Sequence, residues 1–448
     1  MIASPGKSRM EYSSRRPIDA MRSRSIAAPE GAGAAPGAMT VDYDPRQPEI
    51  IANPFPMFAR LRASDPVHLS ERLGGWVLTR YRDVRMVLAD RRFSADRISP
   101  YRDHLAPSQQ TALRELLAML GMWAVFNDPP AHTRRRALLS GLFSAGRIAA
   151  LRPTISAVVD RLLAPLDERQ RFDLIADFAY PLPAIVIARI VGVPAEDIGQ
   201  FKIWSDDLAA FVGSALTTPD KRERAERGAR ELAAYFRRML ADHRDRPRED
   251  ALSTLLAAEV DGERLSEEEI VASAMLLLFA GHETTTNLIG NGVLALLRHP
   301  DQWALLRAKP ELTQSAVEEM LRYDGPTQAM TRIAREAIVL SGAAGEKRTI
   351  PAGARVFALL NAANRDPEIF AEPDCLLIER SGNRHVSFGI GTHFCLGAPL
   401  ARLEAEIGLA ALVRRFPDLA LTNGPVEWSD SFVLRGVRAL PLCRADAH

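Results

Sequence analysis

The sequence is poor in cysteine, in long apolar runs and in net charge, and each shortage excludes a class of protein. It has three cysteines, Cys375, Cys395 and Cys443, and no C-x-x-C pair. So few thiols exclude a disulfide framework and predict a reducing compartment, the cytoplasm. No apolar run reaches the roughly 18 residues that span a bilayer, and no secretory signal is present. A formal net charge of +1 provides no global field for nucleic acid or anionic membranes, so we expect a soluble protein that binds neither.

Linkers are equally scarce, which limits the number of domains. Residues 1–40 are rich in Ser, Arg, Ala, Gly and Pro and poor in large apolar residues. Such a segment cannot bury enough surface to offset its ordering entropy. We therefore expect a disordered N-terminal leader, or an upstream start that the folded domain does not need. No Gly/Ser tract, charge block or repeat divides residues 41–448, which predicts one large domain.

Hydrophobic periodicity predicts a mainly α fold with a minor β portion. The clearest segments are a hairpin and helix over 66–88, helices over 221–245 and 266–298, and strands over 331–360 and 431–442. The helix over 266–298 opens with Ser266 and Glu269 at capping-box spacing. At ~1.5 Å per residue it is about 50 Å long. Its middle is apolar on all sides, which is typical of a central buried helix.

The stretch FGIGTHFCLG, residues 388–397, surrounds Cys395 with three glycines. Gly389 and Gly391 permit left-handed backbone, and Gly397 allows close approach of something flat. A helical run over 398–415 follows at once, so its N-terminal dipole and free N–H groups favour a thiolate. A thiolate in that setting suits an axial haem ligand. The alternative is that a free cysteine is a small buried hydrophobe, which better describes Cys375 and Cys443.

This stretch resembles the signature of the cytochrome P450 family, F-x-x-G-x-x-x-C-x-G, at every fixed position, and further motifs extend the resemblance from Asp42 to the C-terminus. The resemblance implies a single large triangular cytochrome P450 fold with a long central helix over the haem. It implies haem b (iron protoporphyrin IX) as cofactor and Cys395 as the residue that binds its iron.

Glu319 and Arg322 are spaced i, i+3 on a predicted helix over 313–323. By themselves they are an ordinary exposed ion pair. They resemble the family's E-x-x-R, a buried pair that braces the loop under the haem, with Arg365 as the expected downstream partner. The implied role of these three residues is structural.

Haem carries two propionates, and the resemblance implies four donors for them: His132, Arg136, Arg332 and His393. His132 and Arg136 are four apart and share a helical face. For each of the four the alternative is an ordinary surface charge.

The polar cluster around Glu283 and Thr284 interrupts the apolar middle of the long helix, where unpartnered polar groups are unfavourable. One interpretation is purely structural: the helix is kinked here and its polar side chains are hydrogen-bonded. The pair also resembles the family's acid–alcohol pair, which implies proton delivery for oxygen activation. By the same resemblance, substrate contacts include Phe279, Ala280, Met330 and Phe432.

The leading hypothesis is therefore a monooxygenase that inserts one atom of O2 into a moderately sized hydrophobic small molecule, by hydroxylation or epoxidation. The electrons are expected from a separate ferredoxin or flavodoxin with its reductase. Five arginines could form a basic docking patch for that partner, or they could be ordinary charged surface residues. They are Arg134, Arg135, Arg402, Arg414 and Arg415. Two other functions stay open. One is a peroxide-driven or rearranging haem-thiolate enzyme without a redox partner. The other is a non-catalytic haem sensor or carrier, against which the Glu283–Thr284 pair argues.

Overall fold

The computed structural model describes residues 41–214, 217–260 and 262–444. The predicted leader, residues 1–40, lies outside the described residues. From Val41 onward the chain packs as one unit with its own core. Within the described residues no single helix is both long and apolar enough to cross a membrane. One pair of segments, Ala131–Ala150 and Arg152–Leu166, passes that test of length and composition together, with a bend of 69° between them.

Helices make up most of the described chain. In order they are α1 (Pro48–Ala52), α2 (Phe55–Ser64), α3 (Tyr81–Ala89), α4 (Ile98–Asp103), α5 (Pro107–Ala112), α6 (Arg114–Met122), α7 (Ala131–Ser140), α8 (Ala145–Ala150), α9 (Arg152–Leu163), α10 (Pro181–Val191), α11 (Ile198–Val212), α12 (Lys221–Asp245), α13 (Ala251–Ala257), α14 (Glu267–Leu297), α15 (Pro300–Ala308), α16 (Thr313–Asp324), α17 (Leu360–Ala363) and α18 (Ala398–Arg415). The predicted helices over 221–245, 266–298, 313–323 and 398–415 are confirmed as α12, α14, α16 and α18.

The predicted capping box starts α14, the longest of these helices. Ser266 Oγ accepts a hydrogen bond from the Glu269 amide at 3.2 Å, and the Glu269 carboxylate accepts one from the Ser266 amide at 3.0 Å. These bonds satisfy two amides that the first turn leaves without helical partners. The helix runs for 31 residues and is buried on almost every side, because α10, α12, α16 and α18 all pack against it.

Two glycines set how closely neighbouring helices approach α14. A Cβ at Gly281 would lie 2.5 Å from Ile187 on α10, and one at Gly292 would lie 1.9 Å from Met320 on α16. At Gly281 the contact is with the branched, stiff body of Ile187, so a side chain there would push α10 away, whereas at Gly292 the flexible end of Met320 would have to move. The position of Gly281 beside the polar cluster is therefore explained by helix packing.

The strands are short and form one main sheet with three small ones. They are β1 (Val67–Ser70), β2 (Gly75–Leu78), β3 (Phe93–Ser94), β4 (Arg171–Asp173), β5 (Glu259–Val260), β6 (Glu263–Arg264), β7 (Ala329–Ala334), β8 (Ile338–Ser341), β9 (Lys347–Ile350), β10 (Arg355–Leu359), β11 (Leu419–Leu421) and β12 (Pro441–Arg444). The main sheet has the order β1-β2-β10-β7-β3, in which only the β2–β10 pair is parallel. The predicted hairpin over 66–88 is confirmed as β1 and β2, followed by α3.

The prediction of strands over 431–442 is wrong for most of that segment. Only β12, from Pro441, is a strand, and the residues before it are bends with two isolated bridges. Ser431 explains part of the difference, because its hydroxyl donates to Gly213 O at 2.7 Å and accepts from the Leu434 amide at 2.9 Å. Such side-chain bonds to the backbone compete with ladder formation.

Candidate functional site

The cysteine loop joins the main sheet region to α18 and presents an accessible thiol. Gly389 and Gly391 both have φ of 68°, the left-handed conformation predicted for them. The Cys395 amide donates to Phe388 O at 2.9 Å, which closes the loop. Cys395 is exposed, and Cys443 is buried in the β11–β12 region as predicted. Cys375 is also exposed, so the prediction that it is a small buried hydrophobe is wrong. The loop therefore leaves the Cys395 sulfur open to a ligand.

Two opposing effects act on the Cys395 thiol. The enclosed surroundings of the sulfur raise its pKa, and this is the larger effect. The backbone amides of Gly397 and Ala398 and the charges of Arg136 and Arg402 lower it. The amides at the start of α18 thus favour a thiolate, as predicted, but they do not outweigh the desolvation that the protein around the sulfur causes, even though the residue as a whole is exposed. A metal cation at the sulfur would supply the missing stabilisation, since a coordinating thiol is deprotonated.

The Glu319–Arg322 pair is fully buried and braces the segment that leads into the loop. The two side chains form a bidentate pair with both distances at 2.8 Å and no exposed surface. Arg322 also donates to three backbone carbonyls, those of Asn364, Pro373 and Cys375, at 2.7–3.0 Å. The interpretation as an exposed surface pair is excluded. One arginine thus joins α16 to the chain between α17 and the cysteine loop.

The third member of this network is Arg380, and the prediction that Arg365 pairs with Glu319 is wrong. Arg380 Nε lies 3.1 Å from Glu319, and Asn383 donates to the same carboxylate at 3.0 Å. Arg365 instead donates to Tyr323 O at 2.7 Å and pairs with Asp374 at 3.2 Å. Its guanidinium stacks on two aromatic rings, Phe55 at 3.4 Å and Tyr323 at 3.9 Å. Arg365 therefore fixes the end of α16 against α2.

A second tether links α16, the approach to the loop and α18. Glu318 accepts from Arg402 at 2.6 Å and from His385 at 3.1 Å. Burial alone would raise the pKa of Glu318, but these partners outweigh it and lower the pKa to about 2. Ser387 adds a hydrogen bond to Leu321 O at 2.6 Å. The cysteine loop is thus held from both of its ends.

Three of the four predicted propionate donors meet beside the loop. The rings of His132 on α7 and His393 have centroids 4.1 Å apart, and Arg136 donates to Phe394 O at 2.8 Å. Burial lowers the pKa of both histidines, that of His393 to about 3, so both are neutral near pH 7. The His132 Nδ1 atom is buried without a hydrogen-bond partner in the described chain. A buried unpaired nitrogen of this kind calls for a polar ligand.

The fourth donor, Arg332 on β7, is buried beside a cation that the sequence did not reveal, Arg97. Burial lowers the pKa of each guanidinium to about 10, and the charge of Arg332 further lowers that of Arg97. No carboxylate of the described residues lies within ion-pair distance of either one; Arg97 stacks over Phe126 at 4.5 Å. Arg332 is buried and Arg97 is half-buried, and cations shielded from water in this way are normally paired, so these two indicate an anionic ligand. Arg97 belongs to no sequence motif. It lies beside Arg332 because it follows β3, which pairs with β7, and the sequence alone does not reveal this pairing.

The polar cluster on α14 borders open space. Ala280 is exposed although the helix around it is buried, and Thr284, one turn later on the same face, is half-buried. Thr284 Oγ1 donates to Ala280 O at 3.1 Å, the i−4 bond predicted for it. Asn287 lies 3.4 Å from Glu283. The helix continues through this cluster to Leu297.

A second acid, Glu404 on α18, was not predicted. Its side chain is completely buried, and burial raises its pKa well above the ordinary value. The nearest polar group is Thr285 on α14, which opposes that rise. A single Glu in an amphipathic helix gives no sequence signal that it is buried. The burial of Glu404 becomes visible only when α18 is seen to pack on α14.

The four predicted substrate residues lie in three places. Phe279 is buried with its ring 5.4 Å from Trp123, and Ala280 lines the open face of α14. Phe432 packs edge-on against Phe357 at 5.3 Å. Met330 lies against the cysteine loop, since a Cβ at Gly389 would be 3.5 Å from its Cε.

The five arginines proposed as a docking patch are largely neutralised. Arg134 and Arg135 both bond Glu269, Arg402 bonds Glu318, and Arg415 bonds Asp167 at 2.5 Å. Arg134 and Arg135 thus share one carboxylate, and Arg414 has none within ion-pair distance among the described residues. Whether these arginines receive a redox partner stays a prediction.

The residues fit one type of cofactor. The Cys395 thiol is accessible in a braced glycine loop, and the face of α14 around Ala280 is open. Arg97 and Arg332 nearby have no carboxylate within ion-pair distance among the described residues. These features suit a flat group that bears two carboxylates and a thiophilic metal. These features together define a haem-thiolate protein.

Comparisons with known proteins agree with that class. The family model for cytochrome P450 matches residues 216–423. The chain is 42% identical over 405 residues to cytochrome P450 monooxygenase PikC of Streptomyces venezuelae, covering 88% of this chain and 92% of that protein. It is 44% identical over 396 residues to vitamin D(3) 25-hydroxylase of Pseudonocardia autotrophica, covering 87% and 93%. The crystal structure of P450BioI with an acyl carrier protein that carries hexadec-9Z-enoic acid superposes with a TM-score of 0.82 at 37% identity, covering 88% and 100%.

The chain therefore belongs to the cytochrome P450 family, and the predicted mainly α fold with a minor sheet is confirmed as the P450 fold. It is an oxidoreductase of the monooxygenase type.

Proposed function

We propose that Cys395 binds the iron of haem b as a thiolate and that the enzyme inserts one atom of O2 into a moderately sized hydrophobic molecule, by hydroxylation or epoxidation. The observation that carries this proposal is the exposed Cys395 thiol, held in a braced loop beside buried arginines that lack carboxylate partners. Haem, when bound, supplies the activation of oxygen.

The basic cluster would hold the haem carboxylates. Arg136, Arg332 and Arg97 supply positive charge and paired N–H donors, and guanidinium groups match carboxylates in geometry. His132 and His393 are neutral and each offers a ring N–H. Two carboxylates in this cluster would relieve the mutual repulsion between Arg97 and Arg332.

Glu283 and Thr284 would manage protons on the open face of α14. The Thr284 hydroxyl donates to Ala280 O at rest, and rotation about its Cα–Cβ bond would free it to donate into the open space. Glu283, only partly buried one position earlier, is placed to exchange protons with solvent. The two residues together would keep a proton available at Thr284 Oγ1.

The substrate class is supported by the residues that border the site and by the relatives. Phe279 and Phe432 are buried aromatic side chains, and the small Ala280 leaves open space on α14. One relative is named for vitamin D(3) and another was crystallised with a sixteen-carbon acyl chain on its carrier protein, and both compounds are long and mostly apolar. A separate ferredoxin or flavodoxin with its reductase would supply electrons, and the free thiols suit the cytoplasm.

The spectrum of the reduced protein with carbon monoxide tests the cofactor. A strongly red-shifted Soret band is expected for wild type and should be lost in Cys395→Ser. Cys375→Ser and Cys443→Ser are matched controls and should retain the band. A folded, haem-loaded wild-type sample without the band would refute the proposal.

Thr284→Ala tests proton management separately. The variant should consume reductant at a near-normal rate but convert less of it into product, releasing the remainder as hydrogen peroxide. Coupled turnover that is unchanged in Thr284→Ala, or turnover with hydrogen peroxide alone, would instead indicate the peroxide-driven alternative.

A further inference from the structure

A second group of unpaired cations lies beyond the predicted haem donors. Arg355 begins β10 and Arg222 lies in the first turn of α12. Within the described ranges, no carboxylate is within ion-pair distance of either guanidinium. Four other arginines of α12 bond carboxylates, namely Arg224, Arg227, Arg237 and Arg244, whereas the side chain of Arg222 lies against Tyr101. Asp430, an acid from a distant part of the chain, is bonded to the amides and hydroxyls of Thr217 and Thr218, just before α12.

Tyr101 on α4 connects the two arginines. The Arg222 guanidinium lies 5.9 Å from the centre of the Tyr101 ring, and the Phe211 ring on α11 lies 5.6 Å away on edge. The Tyr101 hydroxyl is buried and finds no hydrogen-bond acceptor in the described chain. Burial raises the pKa of Tyr101, while the positive charges of Arg222 and Arg355 both lower it. A buried donor flanked by two cations is therefore left without an acceptor.

Strand register places Arg355 and Arg332 on opposite faces of the main sheet. Arg332 pairs with Val356 across β7 and β10, whereas Arg355 pairs with Ile333. Because side chains alternate along a strand, Arg332 and Arg355 leave the sheet on opposite faces. Arg97, Arg136 and Arg332 already provide three guanidinium groups for two haem carboxylates. The charge of Arg355 nevertheless lowers the pKa of Arg97, so a further anion beside Arg355 and Arg222 would relieve a repulsion that two haem carboxylates leave in place.

We propose that Arg222, Arg355 and the Tyr101 hydroxyl bind the carboxylate of an acidic substrate whose apolar chain lies along Phe211. The inference rests on the proposed function and specifies its substrate as an apolar monocarboxylic acid. Guanidinium groups and a phenol O–H offer only donors here, which suits an acceptor-only carboxylate. Phe211 and the ring face of Tyr101 provide the apolar surface that the adjoining chain requires.

The test compares an acid with its matched ester on the haem-loaded enzyme. Isothermal titration calorimetry with decanoate and with methyl decanoate measures affinity without turnover. Wild type should bind the acid at least about tenfold more tightly, because charge-assisted hydrogen bonds differ from neutral contacts by about that factor. Arg222→Met and Arg355→Met should each weaken decanoate binding about tenfold and leave the ester within about twofold. Tyr101→Phe should give a smaller, still acid-specific loss.

Arg230→Met, on the exposed side of α12, is the matched control and should change neither affinity. Equal affinity of wild type for acid and ester would overturn the inference, and so would equal losses for both ligands in the variants. The wild-type protein and Tyr101→Phe together decide between these outcomes even when an arginine variant folds poorly. A preference for the ester with an intact red-shifted Soret band would refute only this inference. A missing band with an intact acid preference would refute only the proposed function.

Discussion

Replacement of Glu319 by Gln is the sharpest test of the brace under the cysteine loop. The carboxylate takes hydrogen bonds from Arg322, Arg380, Asn383 and the amide of Leu377, all at 2.8–3.2 Å. Neutralising it leaves Arg322 fully buried without a counter-charge. Removing one partner of a buried pair costs about 3–5 kcal/mol.

That free energy converts to a measurable shift in melting temperature. An unfolding entropy of about 2.1 cal/mol/K per residue over about 400 residues predicts a decrease of about 4–6 °C. Thermal unfolding followed by circular dichroism measures the decrease, and the pyridine haemochrome assay measures the expected loss of bound haem.

Glu318→Gln is the matched control, because it is the same change at the next residue of α16. Glu318 is partly exposed and pairs with Arg402 and His385, so its loss costs about 1 kcal/mol and about 1 °C. A Glu319→Gln protein that melts within about 1 °C of Glu318→Gln would refute the reasoning.

Three further results are expected. In double-mutant cycles with Glu319→Gln, Arg380→Met should show a coupling above about 0.5 kcal/mol in urea unfolding, whereas Arg365→Met should be additive. Gly281→Ala should lower the melting temperature despite a gain in helix propensity of about 1 kcal/mol, because its Cβ meets α10. Glu404→Gln should become more stable relative to wild type as pH rises from 5 to 8 in melting experiments, since folding raises the pKa of Glu404.

The sign of the Glu404 effect follows from linkage. The unfolded carboxyl ionises near pH 4.3, whereas the folded protein keeps it protonated to much higher pH. Wild-type stability therefore falls as pH rises between these two values, and the Gln variant lacks this loss. A stability difference between wild type and Glu404→Gln that does not change with pH would contradict this argument. An additive effect of Arg380→Met would contradict its contact with Glu319, and a Gly281→Ala protein with a higher melting temperature would contradict the close packing of α10 on α14.

Features with local sequence signals were predictable. The capping box of α14, the hairpin before α3 and the left-handed glycines of the cysteine loop are each encoded within about ten residues. The buried Glu319–Arg322 pair and the triad of His132, Arg136 and His393 required the family resemblance, because charge spacing alone cannot distinguish buried from exposed pairs.

Features created by long-range packing were not predictable. Arg380 and Arg365 are both arginines downstream of Arg322, and only the path of the chain decides which one reaches Glu319. Arg97 and Glu404 are buried by elements distant in sequence, so their environments leave no local pattern. The segment before β12 resembles a strand by composition, but the bonds of Ser431 prevent regular pairing.

The Glu319 network also bears on when the protein acquires its cofactor during synthesis. Every partner of Glu319 lies between Arg322 and Asn383, and the helix that packs behind Cys395 ends at Arg415. His132 and Arg136 emerge from the ribosome more than 250 residues before Cys395, at about 5–20 residues per second. The nascent chain therefore carries half of its cofactor cradle for many seconds without the half that supplies the thiol. Cofactor capture through the thiol therefore cannot precede synthesis of the cysteine loop.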